Sequence, residues 1–148
     1  MRAFAFKRIL SVTAAGAVAC AGALVLTAQQ PSKNDRPKLT LRAQPSVAVS
    51  PARVLLTAEL QGGSDNSEEF YCPTITWEWG DETSSEATSD CDPYEAGKSK
   101  IRRRFSVQHV YRIEGSYKIY FHMKRNDKII GSASTVIQVQ PGLNSGAF

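Results

Sequence analysis

Two histidines and three cysteines in 148 residues leave little material for the commonest catalytic and metal-binding constellations. A triad of Ser, His and Asp would have to use His109 or His122, and no Gly-x-Ser-x-Gly turn, the strained elbow that presents a nucleophilic serine, occurs in the chain. A phosphate-binding glycine loop and the spacing of an EF-hand calcium loop are equally missing. Structural zinc needs four ligands, and Cys72 and Cys91 without converging histidines fall short of that count. The chain therefore reads as having no catalytic centre, no metal and no cofactor. Paired carboxylates acting in hydrolysis are the one enzymatic alternative left by this inventory.

Positive charge is missing from a long interval. No Lys or Arg stands between Arg53 and Lys98, whereas Asp65 to Glu95 contribute ten of the 14 acids, and Lys98, Lys100, Arg102, Arg103 and Arg104 then follow within seven positions. One reading is solvated loop charge that partly neutralises itself. The other is an acidic lobe that could hold calcium through Asp and Glu oxygens, or a basic strip that meets an anionic surface, which makes those five cations the candidate binding residues. The formal charge of +4 does not point to nucleic acid. Arg2, Lys7 and Arg8 lie in the leader, leaving 15 Lys and Arg against 14 acids, and so small an excess gives no general reason to expect a nucleic-acid partner.

That leader is the first organisational feature. Lys7 and Arg8 precede an uncharged, mostly apolar stretch from Ile9 to Ala28, the charged and apolar regions of a secretory signal. Ala19-Cys20-Ala21 offers a small-x-small cleavage pattern, and Ala17-Val18-Ala19-Cys20 loosely resembles a lipobox, although the residues after Cys20 stay apolar. At 20 residues the stretch also reaches the length that spans a hydrocarbon core, so an uncleaved anchor through residues 9–28 is the alternative. Residues 1–28 thus read as signal or membrane anchor, 29–38 as a polar, proline-punctuated linker, 39–140 as the folded domain and 141–148 as a flexible tail. Export implies an oxidising compartment, where Cys72 and Cys91 pair by default as a disulfide.

Within 39–140 the pattern is of short strands. Leu39-Thr40-Leu41 alternates briefly, a bend follows from Pro45 to Pro51, and Val54, Leu56, Ala58 and Leu60 then alternate with Leu55, Thr57 and Glu59. Gln61 to Glu69 reads as turn, Phe70 to Trp79 as a third strand, and Glu82 to Arg104 as the longest irregular stretch. Phe105–Tyr111, Tyr117–Lys124 and Ile129–Val139 complete the set, the last two joined at Asn126-Asp127, a pair suited to a hairpin turn. No helix is expected, and strands at this spacing mean an all-β, antiparallel, immunoglobulin-like sandwich. Parity assigns Ile75, Trp77, Trp79, Tyr117, Ile119 and Phe121 to its core and turns Thr76, Glu78, Lys118 and Lys124 to water. Tyr120, on the outward parity, is the candidate exposed aromatic, and His122 reads as a residue of the same solvent face.

Two strings carry a family likeness. Ile75 to Asp81, with its Trp77-Glu78-Trp79-Gly80-Asp81, resembles the Tyr-x-Trp-x-Phe-Gly-Asp stretch of PKD domains, the immunoglobulin-like modules first described in polycystin. His109-x-Tyr111 resembles their His-x-Tyr, and Gly115-Ser116-Tyr117 their Gly-x-Tyr strand opener, in the same order. Trp79 stands where Phe is usual, and Glu82 to Arg104 is longer than the typical loop. The resemblance implies a structural role for His109 near a turn. It also implies a noncatalytic module of the cell envelope, exported to the periplasm or the outside, with a protein or polysaccharide as partner. A membrane-tethered structural subunit of an envelope assembly is the alternative.

Overall fold

The computed structural model describes residues 36–142; the leader with Cys20, most of the linker and the end of the tail lie outside them. Among the described residues eight strands are present: β1 (Lys38–Gln44), β2 (Val47–Val49), β3 (Ala52–Gln61), β4 (Thr74–Glu78), β5 (Ser84–Ala87), β6 (Arg104–Tyr111), β7 (Gly115–Arg125) and β8 (Lys128–Gln140). They form a three-stranded sheet in the order β1-β3-β6 and a five-stranded sheet in the order β2-β8-β7-β4-β5. All pairings are antiparallel except β2 with β8. This is an immunoglobulin-like sandwich. In constant-type immunoglobulin domains the first sheet holds four strands, A, B, E and D. Here its fourth place is empty among the described residues, so β6 ends the sheet.

The alternation that marks β3 also decides how it packs. Ala52, Val54, Leu56, Ala58 and Leu60 are buried, while Arg53, Leu55 and Gln61 are exposed. The opposite sheet supplies Ile119, Phe121 and Met123 from β7 and Ile137 and Val139 from β8. Between them runs a column of rings drawn from both sheets. Phe105 meets Phe121 at 5.6 Å, Phe121 meets Trp77 at 4.5 Å, and Trp77 stacks on Trp79 at 5.6 Å. Trp79 then stacks on His109 at 4.3 Å, followed by Tyr111 and Tyr117. Aromatic neighbours at such spacings stabilise the core beyond their burial alone.

Several expectations need correcting. The strand read from Phe70 begins only at Thr74, because Cys72 has φ +50 and Pro73 carries no N–H; Phe70 instead closes a single 3-10 turn, Glu68–Phe70. Thr76 is buried rather than exposed, since its hydroxyl donates to Glu86 Oε2 at 3.1 Å and that carboxylate, bridged to Lys124, covers it. Lys124 is half-buried by the same contact. Ile75 and Tyr117 are only partly buried, Ile75 beside the edge strand β5 and Tyr117 at the end of the sandwich. Two strands fall in stretches read as bend or loop, β2 between Pro45 and Pro51 and β5 within Glu82 to Arg104. All four residues of β5 are exposed, so it carries no apolar alternation to reveal it.

The turns match their residue chemistry. Asn126 and Asp127 both have positive φ, as a two-residue hairpin linking β7 to β8 requires. Gly80 lies at φ +78, and a Cβ there would come within 2.6 Å of Lys118 O, so the turn between β4 and β5 admits no other residue without a shift of β7. Tyr117, opening β7, donates its phenol to Ile113 O at 2.8 Å, the geometry of a tyrosine corner. Finally, β1 and β8 run side by side in the same direction. Arg36 donates to Ile130 O at one end, and Ser50 N donates to Gln140 O at the other.

Candidate functional site

The two strings that carry the family likeness meet around Asp81. His109 Nε2 lies 2.7 Å from Asp81 Oδ2, the backbone N–H of Thr83 donates to Asp81 Oδ1 at 3.1 Å, and the buried Tyr111 phenol donates to Trp79 O at 3.0 Å. Burial pushes the Asp81 carboxyl up, but the hydrogen bonds from Thr83 and His109 outweigh it and hold the group below its ordinary value. Burial likewise raises the Tyr111 phenol, with Asp81 and Tyr117 adding to it. His109 is occupied on one face by Trp79 and at one nitrogen by Asp81, and it makes no hydrogen bond to any hydroxyl or thiol among the described residues. The arrangement, with the Thr83 hydroxyl also donating to Asp81 Oδ1, locks a turn.

His122, on the outward parity of β7, stacks beside Tyr120 at 5.9 Å, with Nε2 3.5 Å from Glu78 Oε1 and a buried Nδ1 that has no partner among the described residues. Tyr120 itself is half-buried under Lys118, whose Nζ lies 5.0 Å from the ring centre. Among the described residues no three metal-ligating side chains converge, and no helix is long and apolar enough to cross a membrane.

Cys72 and Cys91 form a disulfide, with Cα atoms 6.3 Å apart. Around it the long β5–β6 connection is stitched to the turn after β3. The Tyr71 phenol donates to Asp92 O at 3.0 Å, the Tyr94 phenol to Asn66 O at 2.6 Å, and Ile101 N to Asp65 O at 2.8 Å. A disulfide in such an exposed connection belongs to an oxidising, exported environment.

The five cations of the proposed strip do not share one surface role. Lys98 pairs with Glu95, Arg102 lies 4.9 Å from the centre of the Phe105 ring and donates to Arg104 O, and Arg104 pairs with Glu59. Arg103 points the other way. Its guanidinium donates to Leu60 O, Gly62 O and Gly63 O at 2.8 to 3.1 Å while Nε meets Asp65, so it is the clamp that shapes the turn after β3. Lys100 is exposed and makes no ion pair among the described residues.

The positive surface lies instead on the outer face of the three-stranded sheet. Strand alternation places Lys38 and Arg42 of β1, Arg53 of β3 and Arg104 of β6 on that face. Exposed Leu55 and Val110 lie among them, and Glu59, already held by Arg104, is the one carboxylate. Lys38, Arg42 and Arg53 have no acid within ion-pair distance among the described residues. Acids gather elsewhere, on β4, β5 and the connections around them. Reading charge along the chain missed this face, because its cations are far apart in sequence. The parity of β1 and β3 held a usable signal, but the adjacency of β6 did not show.

No family model and no curated protein matches the chain. Among solved structures it is similar to the PKD domain of an M14-like peptidase from Thermoplasmatales archaeon SCGC AB-540-F20, at 15% identity and TM-score 0.48, over 72% of this chain and 97% of that one. It is also similar to the CARDB domain of the PF1109 protein from Pyrococcus furiosus, at 11% identity and TM-score 0.42, over 71% and 94%. A third is the alkylpurine DNA glycosylase AlkC of Pseudomonas fluorescens, at 10% identity and TM-score 0.39, over 71% and 30%. Likenesses of this size describe an outline of strands and transfer neither ligand nor activity.

Proposed function

We propose that this protein is an exported, noncatalytic binding module, and that the outer face of the three-stranded sheet is its contact surface for a protein or polysaccharide bearing negative charge. The observation that carries the reading is the set of three cations, Lys38, Arg42 and Arg53, that have no ion-pair partner among the described residues and surround exposed Leu55 and Val110 on one sheet face. Desolvating them against an anionic partner breaks no ion pair among the described residues, whereas using Arg103 or Arg104 would. We place the module in the periplasm or outside the cell, held at the inner membrane if residues 9–28 are retained.

Two variants of equal charge separate this surface from the loop. One replaces Lys38, Arg42 and Arg53 with Ser; the other replaces Lys98, Lys100 and Arg102. Retention on immobilised dextran sulfate and pull-downs from an envelope extract are compared at rising salt. The first variant is expected to elute at clearly lower salt than wild type and to lose partners, with the second close to wild type. Equal losses in both would show that net charge alone, and not this face, is being read.

A further inference from the structure

The edge that ends the three-stranded sheet has a definite set of free groups. In an antiparallel pair, residues alternate between exchanging backbone hydrogen bonds with the neighbour and turning those groups away from it. Leu60 N donates to Arg103 O, and Glu59 O faces β1, where it accepts from the Thr40 hydroxyl, which fixes the phase: odd-numbered residues of β6 bond to β3, and even-numbered residues face outward. Arg104 O is capped by Arg102 Nε at 3.0 Å. The N–H and C=O groups of Ser106, Gln108 and Val110 have no hydrogen-bond partner among the described residues.

Protein edges are normally guarded by shortness, charge, proline or a bulge. Within the described residues β2 and β5 are short, at three and four residues, and β1 lies against β8. β6 is eight residues long and regular in register, with no proline and no Lys, Arg, Asp or Glu between Phe105 and Tyr111. A row so neutral asks for no charged partner strand. What complements it is a second neutral, β-forming strand with the same spacing of free groups, and the chain supplies one in β6 itself.

We infer that two copies of this protein associate through β6, antiparallel about a twofold axis at Gln108, to make a continuous six-stranded sheet. In that register Ser106, Gln108 and Val110 of one copy face Val110, Gln108 and Ser106 of the other, and the free N–H and C=O groups of these residues on both copies are paired. Arg104, already capped, stays outside the ladder. The two basic faces become one surface on the same side of the joined sheet. Two strands alone bury less than a stable interface needs, so the dimer is weak and concentration-dependent. Because the two copies bring like charge together, it tightens as salt rises, the opposite of charge-driven partner binding. This association does not depend on the basic face having a ligand.

Sedimentation of the full chain from about 10 μM to about 1 mM, against a Gln108→Pro variant, tests it. The Gln108 N–H points away from β3, so Pro removes a free edge donor without breaking the internal ladder. Wild type is expected to shift towards dimer with concentration and salt, and the variant to show no such shift. A Gln108→Cys variant gives a second readout independent of that fold. Facing residues of a hydrogen-bonded pair stand about 5.5 Å apart, within disulfide range, so mild oxidation should crosslink it well above the wild-type background. Concentration dependence unchanged by Pro, or crosslinking no higher than wild type, overturns the proposal.

Discussion

Replacing Arg103 with Gln should destabilise the domain while leaving anionic binding almost untouched. The side chain is about one-third exposed and gives four bonds, three to carbonyls and one to Asp65. The pair with Asp65, itself 62% exposed, is a surface ion pair and contributes at most about 1 kcal/mol. The bonds to Leu60 O and Gly63 O are partly buried, and each contributes about 1 kcal/mol net; the exposed bond to Gly62 O adds a few tenths. Gln reaches one of these acceptors at best, so the expected loss is about 2 kcal/mol. For a domain of this size, with a urea m-value of about 1 to 1.5 kcal/mol/M, the unfolding midpoint should fall by about 1.5 M. Retention on dextran sulfate should meanwhile drop far less than for the Lys38, Arg42 and Arg53 variant. A midpoint within about 0.3 M of wild type would refute the clamp, and a binding loss as large as that variant's would return Arg103 to the contact surface.

Reduction of the Cys72–Cys91 disulfide, or a double Ser substitution, should cost about 3 kcal/mol in the chain-entropy account of a 19-residue closure; thiol counting by mass spectrometry of exported protein should find neither cysteine free. The lowered pKa of Asp81 has a sign that can be checked: the unfolded carboxyl takes up its proton first as pH falls, so the stabilisation is full above the ordinary value near 3.8 and disappears below the folded value. Asp81→Asn should therefore be less stable than wild type at neutral pH, and the gap should close as pH falls below about 4; a gap constant down to strong acid would mean that the charge on Asp81 contributes nothing.

Much of the sandwich was legible because its buried strands alternate. Val54 to Leu60 and Tyr117 to Met123 each declare an inner and an outer face, and the Asn126-Asp127 turn declares their connection. β5 was not legible, since an edge strand exposed at every residue has nothing to alternate. Thr76 went to the wrong side of the water boundary for a related reason, because the Glu86 that covers it comes from that unseen strand. The candidate site was harder still. Arg102, Arg103 and Arg104 are adjacent in sequence, but Arg103 turns into the turn after β3 while Arg104 reaches the outer face. Lys38, Arg42 and Arg53, which no window of sequence groups, come together only through the pairing of β1 with β3.

The parallel course of β1 and β8 has a mechanical consequence. The chain enters the sandwich near Arg36 at one end and leaves it near Gln140 at the other, so tension applied across the domain pulls the two ends of the sandwich apart lengthwise. β1 is drawn back toward the entry along β3, and behind it β2 is drawn the same way along β8, itself pulled toward the exit. Their parallel bonds, together with Gln138 N to Ser46 O and Ser50 N to Gln140 O, are loaded in shear and at the same moment, instead of opening one after another as in a zipper.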